Sequence, residues 1–145
     1  MSRNNRFTRK SKKVAKSTHS STEQTIVIQF IEMMNTIKLF HWKTTSYPTH
    51  KATDDLHGKI SGNIDTFVEI MLGKHGGRVN LSGTKTITLN DYSSMDAFKA
   101  EIERYKTFLK GLNDVLNPVN DSDLLNVRDE ILGDLNQFSY LLTFH

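Results

Sequence analysis

Two pairs of side chains with metal-binding chemistry stand close together in this sequence: His50 with Asp54, and Asp65 with Glu69. Each pair is spaced by four residues, the interval at which helical side chains lie one above the other and can turn toward one ion. Imidazole nitrogen combined with carboxylate oxygen suits iron, manganese or zinc. The chain has no cysteine, which excludes thiolate sites, disulfides and a thiol nucleophile. The spacing leaves two roles open for Asp54, a ligand or a partner that orients His50.

On a helical wheel counted from His50, Asp54, Asp65 and Glu69 fall about 40°, 60° and 100° round, with His57 about 20° behind. Leu56, Ile60, Ile64, Phe67 and Met71 occupy a different sector and form the buried stripe. The two pairs therefore share a polar face but lie about 22 Å apart along the helix, too far for one ion. Two antiparallel copies crossing near residue 59 or 60 would set His50 and Asp54 of one against Asp65 and Glu69 of the other. Gly58 and Gly62 lie on or beside that face. Each costs a helix interior about 1 kcal/mol relative to alanine, which suggests a close backbone approach such as a symmetric dimer provides. A solvated polar face is the competing reading, and the usual one for such residues taken singly.

The elements that must position these residues read as four helices. Ser21-Thr22-Glu23-Gln24 has capping-box spacing, so the first helix is expected from Ser21 or Thr22, with Ile26, Phe30, Met33, Met34, Ile37 and Phe40 on its apolar side. His41 falls on that side too, where a lone histidine is commonly a hydrogen-bonded core residue, and Trp42 reads as packing. Pro48 ends this helix and opens the second, for which Gly73 is the expected stop. Residues 74–93 break the pattern, with a short extended piece at Thr86-Ile87-Thr88-Leu89. A third helix is expected at 94–116 and a fourth at 121–143, with Met95, Phe98, Ile102, Tyr105, Leu109 and Leu112, then Leu124, Leu125, Val127, Ile131, Leu135, Phe138 and Leu142, as their stripes. The fold class is all-α, a ferritin-like four-helix bundle over residues 22–145 with one long crossover between helices 2 and 3.

The string Lys38-Leu39-Phe40-His41-Trp42, then His50 and Asp54, then Asp65, Glu69, Leu72 and Gly73, resembles the Dps-like miniferritins over about residues 37–73. The resemblance implies a di-iron ferroxidase centre at a two-fold subunit interface, with His41, His50 and Asp54 from one chain and Asp65 and Glu69 from its neighbour. It also implies Fe(II) oxidation by hydrogen peroxide or oxygen, storage of the ferric product in a twelve-subunit homo-oligomeric shell, and nonspecific DNA binding through a basic terminal arm. Three features depart from the family: a shorter interval between His41 and His50, Lys43 in place of the usual Asn, and no short helix in the crossover. A weaker likeness is to small proteins of large DNA viruses. Helices 3 and 4 hold no Glu-x-x-His motif, since Glu101 leads to Arg104 and Glu130 to Gly133, so a site inside one bundle is not expected. Asp114, Asp121, Asp129 and Asp134 are candidate acids for an interior surface. The alternative function is a catalytically inactive ferritin-like protein that binds DNA or serves as structure.

Charge divides the chain in two. Residues 1–22 hold Arg3, Arg6, Arg9, Lys10, Lys12, Lys13 and Lys16 and no acid, whereas the remainder is net negative although the whole chain is +3. Residues 1–21 read as an unstructured basic arm suited to tracking phosphates by counterion release; a targeting segment or a solubilising tail would have the same composition. No apolar stretch marks a secretory signal or a membrane span, so an intracellular location is expected. Deleting residues 1–19 is expected to abolish a DNA gel shift while sparing iron oxidation; a truncated protein that still shifts DNA at the same salt would refute the arm's role.

Overall fold

The computed structural model describes residues 11–144, with side chains described from Ser21 onward. Its helices are α1 (Ser11–Lys43), α2 (Tyr47–His75), α3 (Met95–Gly111) and α4 (Ser122–Leu141), with a 3-10 turn at Leu112–Asp114. The first helix starts ten residues before the expected cap, so the backbone of residues 11–21 is helical where an unstructured arm is expected. That stretch holds no proline or glycine, and a nucleated helix extends at one hydrogen bond per residue.

Local chemistry sets the other boundaries. The Ser46 side chain accepts from the Thr49 N–H and Pro48 occupies the first turn of α2, where its missing donor costs nothing. At the far end the stop is Gly76 and not Gly73: Gly76 takes a left-handed conformation, with φ of 70°, and returns its N–H to the Leu72 carbonyl. Gly73 is carried through because Lys74 and His75 behind it are tied to other helices, Lys74 to Asp123 of α4 and His75 to Glu23 of α1. Ser94 caps α3 through the Ala97 N–H. Between α2 and α3 no strand occurs among the described residues; Thr86–Leu89 has no neighbouring strand to pair with.

The apolar stripes meet in one core. Phe40 of α1 stacks on Phe98 of α3 at 3.9 Å between ring centroids, and Phe138 of α4 meets Phe98 edge-on at 6.0 Å. Phe30 meets Phe67 of α2 edge-on at 5.2 Å. Met34, Met95, Leu125 and Val127 from the expected stripes are only partly buried, packed at the edge of this cluster.

Contacts along the helices give their directions. Phe40 beside Phe98 and Thr36 hydrogen-bonded to Tyr105 make α1 and α3 antiparallel. Lys106 donates to Ser139, and the Arg128 guanidinium donates to the Leu109 carbonyl, so α3 and α4 are antiparallel as well. Consequently α2 and α3 run the same way, and residues 76–94 must travel the length of the molecule between them. Gln24, within α1, holds the start of this connection through the Asn80 carbonyl, and Lys43 at the end of α1 holds its later part through Asp91.

Glu101 fastens the last part of the connection. It is 7% exposed, and its carboxylate accepts from Tyr92 of the connection at 2.9 Å and from Arg104 at 2.7 Å. Burial works to raise its pKa, but the hydrogen bonds from Arg104 and Tyr92 outweigh it and hold the carboxyl below the usual glutamate range. A depressed folded-state pKa gives stability that is present above the unfolded value and lost as pH falls through the folded one. Chemical denaturation of the wild type and Glu101→Gln between pH 6 and pH 3 should therefore show the wild-type advantage shrinking on acidification. A gap that stays constant over this range would contradict the assignment.

Candidate metal centre

His41 lies in the last turn of α1 and His50 in the first turns of α2. Only Thr44, Thr45 and Ser46 separate the helices, with the Thr44 N–H bonded to the Phe40 carbonyl and the Ser46 N–H to the Thr44 hydroxyl. This tight turn accommodates the short interval between the two histidines and stacks their rings at 4.0 Å between centroids.

The rings hold each other through the backbone. His41 Nδ1 lies 3.0 Å from the His50 carbonyl oxygen, and His50 Nδ1 lies 3.1 Å from the His41 carbonyl oxygen. A carbonyl only accepts, so each Nδ1 carries the proton and donates. In the neutral imidazoles each Nε2 then keeps its lone pair, and neither Nε2 has a hydrogen-bond partner among the described residues. Thr53, fully buried, completes the arrangement. Its hydroxyl donates to the Thr49 carbonyl at 2.8 Å, with the His50 carbonyl a second acceptor at 3.0 Å, and it lies 3.2 Å from His41 Nδ1. Thr53 was not singled out from sequence, although its place on the buried sector of α2, one turn after Thr49, is a readable signal.

Asp54 stands on the open side of these rings. Its carboxylate is 3.8 Å from His41 Nε2 and 3.6 Å from the Lys38 ammonium. His50 Nδ1 is held by the His41 carbonyl, and the nearest ring nitrogen to Asp54 is His41 Nε2. Lys38 also spans the Trp42 ring at 5.8 Å. Trp42 is 69% exposed and not the packing residue expected: two positions beyond Phe40, it lies about 200° round from that stripe, on the far side of the helix.

Asp65 and Glu69 are exposed on α2 and have no hydrogen bond or ion pair among the described residues. They remain remote from His50 and Asp54, and no three His, Asp or Glu side chains converge as an ion-binding group among the described residues. Within one chain the His41 and His50 rings stack, Asp54 stands beside His41, and Asp65 and Glu69 lie apart. Of the candidate interior acids, Asp121 pairs with Lys74, Asp129 with Arg128 and Asp134 with Lys59 and Asn63, while Asp114 is exposed in the 3-10 turn. Arg3, Arg6, Arg9 and Lys10 lie outside the described residues, as do the side chains of Lys12, Lys13 and Lys16.

The model of a family of unknown function, DUF5856, matches residues 41–142. The chain belongs to that family. No curated protein and no solved structure matches it. The DUF5856 match opens at His41, so all five candidate ligands lie inside it and the seven basic residues of the arm lie outside.

No helix among the described residues is long and apolar enough to cross a membrane.

The reciprocal histidine geometry is open to direct measurement. In the metal-free protein at pH 8, long-range ¹H–¹⁵N correlation should find both His41 and His50 as Nδ1–H tautomers. An Nε2–H form at either ring would overturn the assignment.

Proposed function

We propose that this chain is an Fe(II)-oxidising, iron-sequestering protein of ferritin-like architecture whose di-iron centre is shared between two copies. The observation that carries the reading is the reciprocal His41–His50 pair, which uses both Nδ1 atoms and leaves both Nε2 atoms for a metal ion, that of His41 on the side where Asp54 stands. Metal-ligating histidines commonly donate their other ring N–H to a carbonyl in this way, which fixes the tautomer and raises basicity. The helix directions support the reading too: α1 and α4 run one way and α2 and α3 the other, with one long connection, as in ferritin-like bundles.

The missing ligands lie on the same face of α2. Two antiparallel copies bring Asp65 and Glu69 of the partner subunit against His50 and Asp54, giving a mixed imidazole and carboxylate set suited to iron. Iron is the substrate. Two Fe(II) ions each give up one electron; a peroxide O–O bond accepts both and, with two protons, leaves as two waters. Carboxylates neutralise the extra positive charge of the ferric products, and the neutral imidazoles hold the ions without adding charge. The basic arm provides a second, independent activity, nonspecific association with DNA, because seven cations and no acids occur in residues 1–22.

An anaerobic Fe(II) titration followed by a peroxide pulse tests the reading, with the Asp65→Ala/Glu69→Ala double variant alongside. The wild type should bind about two irons per shared centre and oxidise them faster than buffer, and the double variant should lose both. Oxidation equal in the two proteins would leave the catalytically inactive, structural reading.

A further inference from the structure

Packing alone does not call for a hydroxyl at position 53 of α2. Thr53 is 0% exposed and lies on the same sector of the helix as Leu56, Ile60 and Ile64, where valine would fill the same space with no polar group to bury. Threonines in helices commonly return the hydroxyl to the carbonyl four residues back. Thr25, Thr66 and Thr107 do so here, to Ser21, Gly62 and Glu103, and all three are exposed. Thr53 makes the same bond to Thr49 at 2.8 Å, but its oxygen also reaches α1, 3.2 Å from His41 Nδ1.

The direction of that contact follows from counting protons. A hydroxyl has one proton and two lone pairs. The Thr49 and His50 carbonyls, 2.8 and 3.0 Å from Thr53 Oγ1, compete for the proton, and a lone pair is left for His41 Nδ1. The same nitrogen lies 3.0 Å from the His50 carbonyl oxygen, which only accepts. The Nδ1 proton of His41 is therefore shared between two acceptors at different points on α2, and the ring cannot swing without losing one of them. A lone pair on Nδ1 would instead face the carbonyl's lone pairs, and could be satisfied only by drawing the hydroxyl proton away from the Thr49 carbonyl, its closer partner. The His50 ring differs, because the His41 carbonyl is the one acceptor its Nδ1 has among the described residues.

We infer that Thr53 is a positioning residue for His41: its hydroxyl is the second acceptor that fixes the ring and holds Nε2 in place for the metal ion, on the side where Asp54 stands. This rests on the metal-centre reading above and adds to it a residue outside the ligand set. The role falls on one histidine of the pair, so the two rings should respond differently when the hydroxyl is lost.

Two substitutions in the full chain separate positioning from packing. Thr53→Val removes the hydroxyl and keeps the branched shape, whereas Thr53→Ser keeps the hydroxyl and gives up a buried methyl. Thr53→Val should weaken anaerobic Fe(II) binding about 10-fold, as loss of a ligand's hydrogen-bond partner commonly does. Thr53→Ser should bind Fe(II) as the wild type does, although the lost methyl lowers its thermal stability. In the metal-free protein, ¹H–¹⁵N NMR should show the Nδ1 proton of His41 exchanging faster with solvent in Thr53→Val while that of His50 is unchanged. Affinity lost equally in both variants, or the two histidines changing together, would mark a packing role and overturn the inference. Equal Fe(II) binding by the wild type and Thr53→Val would overturn it and leave the metal-centre reading standing. A wild type that binds no Fe(II) would remove that reading and this role with it.

Discussion

The reciprocal hydrogen bonds between His41 and His50 hold the central constraint of this molecule. Each ring uses one nitrogen to bind the other residue's carbonyl, so two carbonyls near helix ends gain donors and two rings lose their rotational freedom together. The exchange closes only if α1 and α2 reverse over three residues. That reversal sets the angle at which the helices leave the turn, and hence how Phe30 meets Phe67 farther along. Thr53 supports the exchange from beneath as a fully buried hydroxyl. Moving either ring would therefore disturb the pairing of both helices.

The long connection is the second organising element. It follows α1 from Gln24 to Lys43 and delivers Tyr92 to Glu101. By running the length of the molecule it lets α3 descend beside α1, which brings Phe98 between Phe40 and Phe138. A short loop in its place would have forced α3 to run opposite to α2 and separated these rings. Buried polar groups in the assembled helices are all paired among the described residues, including Arg128, whose guanidinium satisfies the Leu109 carbonyl near the end of α3.

The four helices and most of their buried residues are legible in the sequence because an apolar stripe at helical spacing leaves little freedom about which face turns inward. Ile60, Ile64, Phe67 and Met71 are buried as their spacing requires. Helix ends are less legible. Gly73 and Gly76 look alike as symbols, and the choice between them depends on ties made by Lys74 and His75 to distant helices. In the candidate site, the grouping of His41, His50 and Asp54 follows from position, whereas the exchange of backbone bonds between the histidines does not. It depends on the three-dimensional course of a three-residue turn. Trp42 shows the opposite failure: its size suggests burial, but its angle on the helix places it outside.

A straight helix is also a ruler. Because the histidine-bearing and acid-bearing ends of the α2 face point in one direction, a single antiparallel encounter of the kind proposed would engage both ends of both chains at once. Had they faced opposite ways, each encounter would have left one end unsatisfied and invited another chain, and growth would have continued into a filament. In the proposed pairing, shared orientation would make the contact saturate at two copies, and any larger assembly would be built through surfaces elsewhere on the molecule.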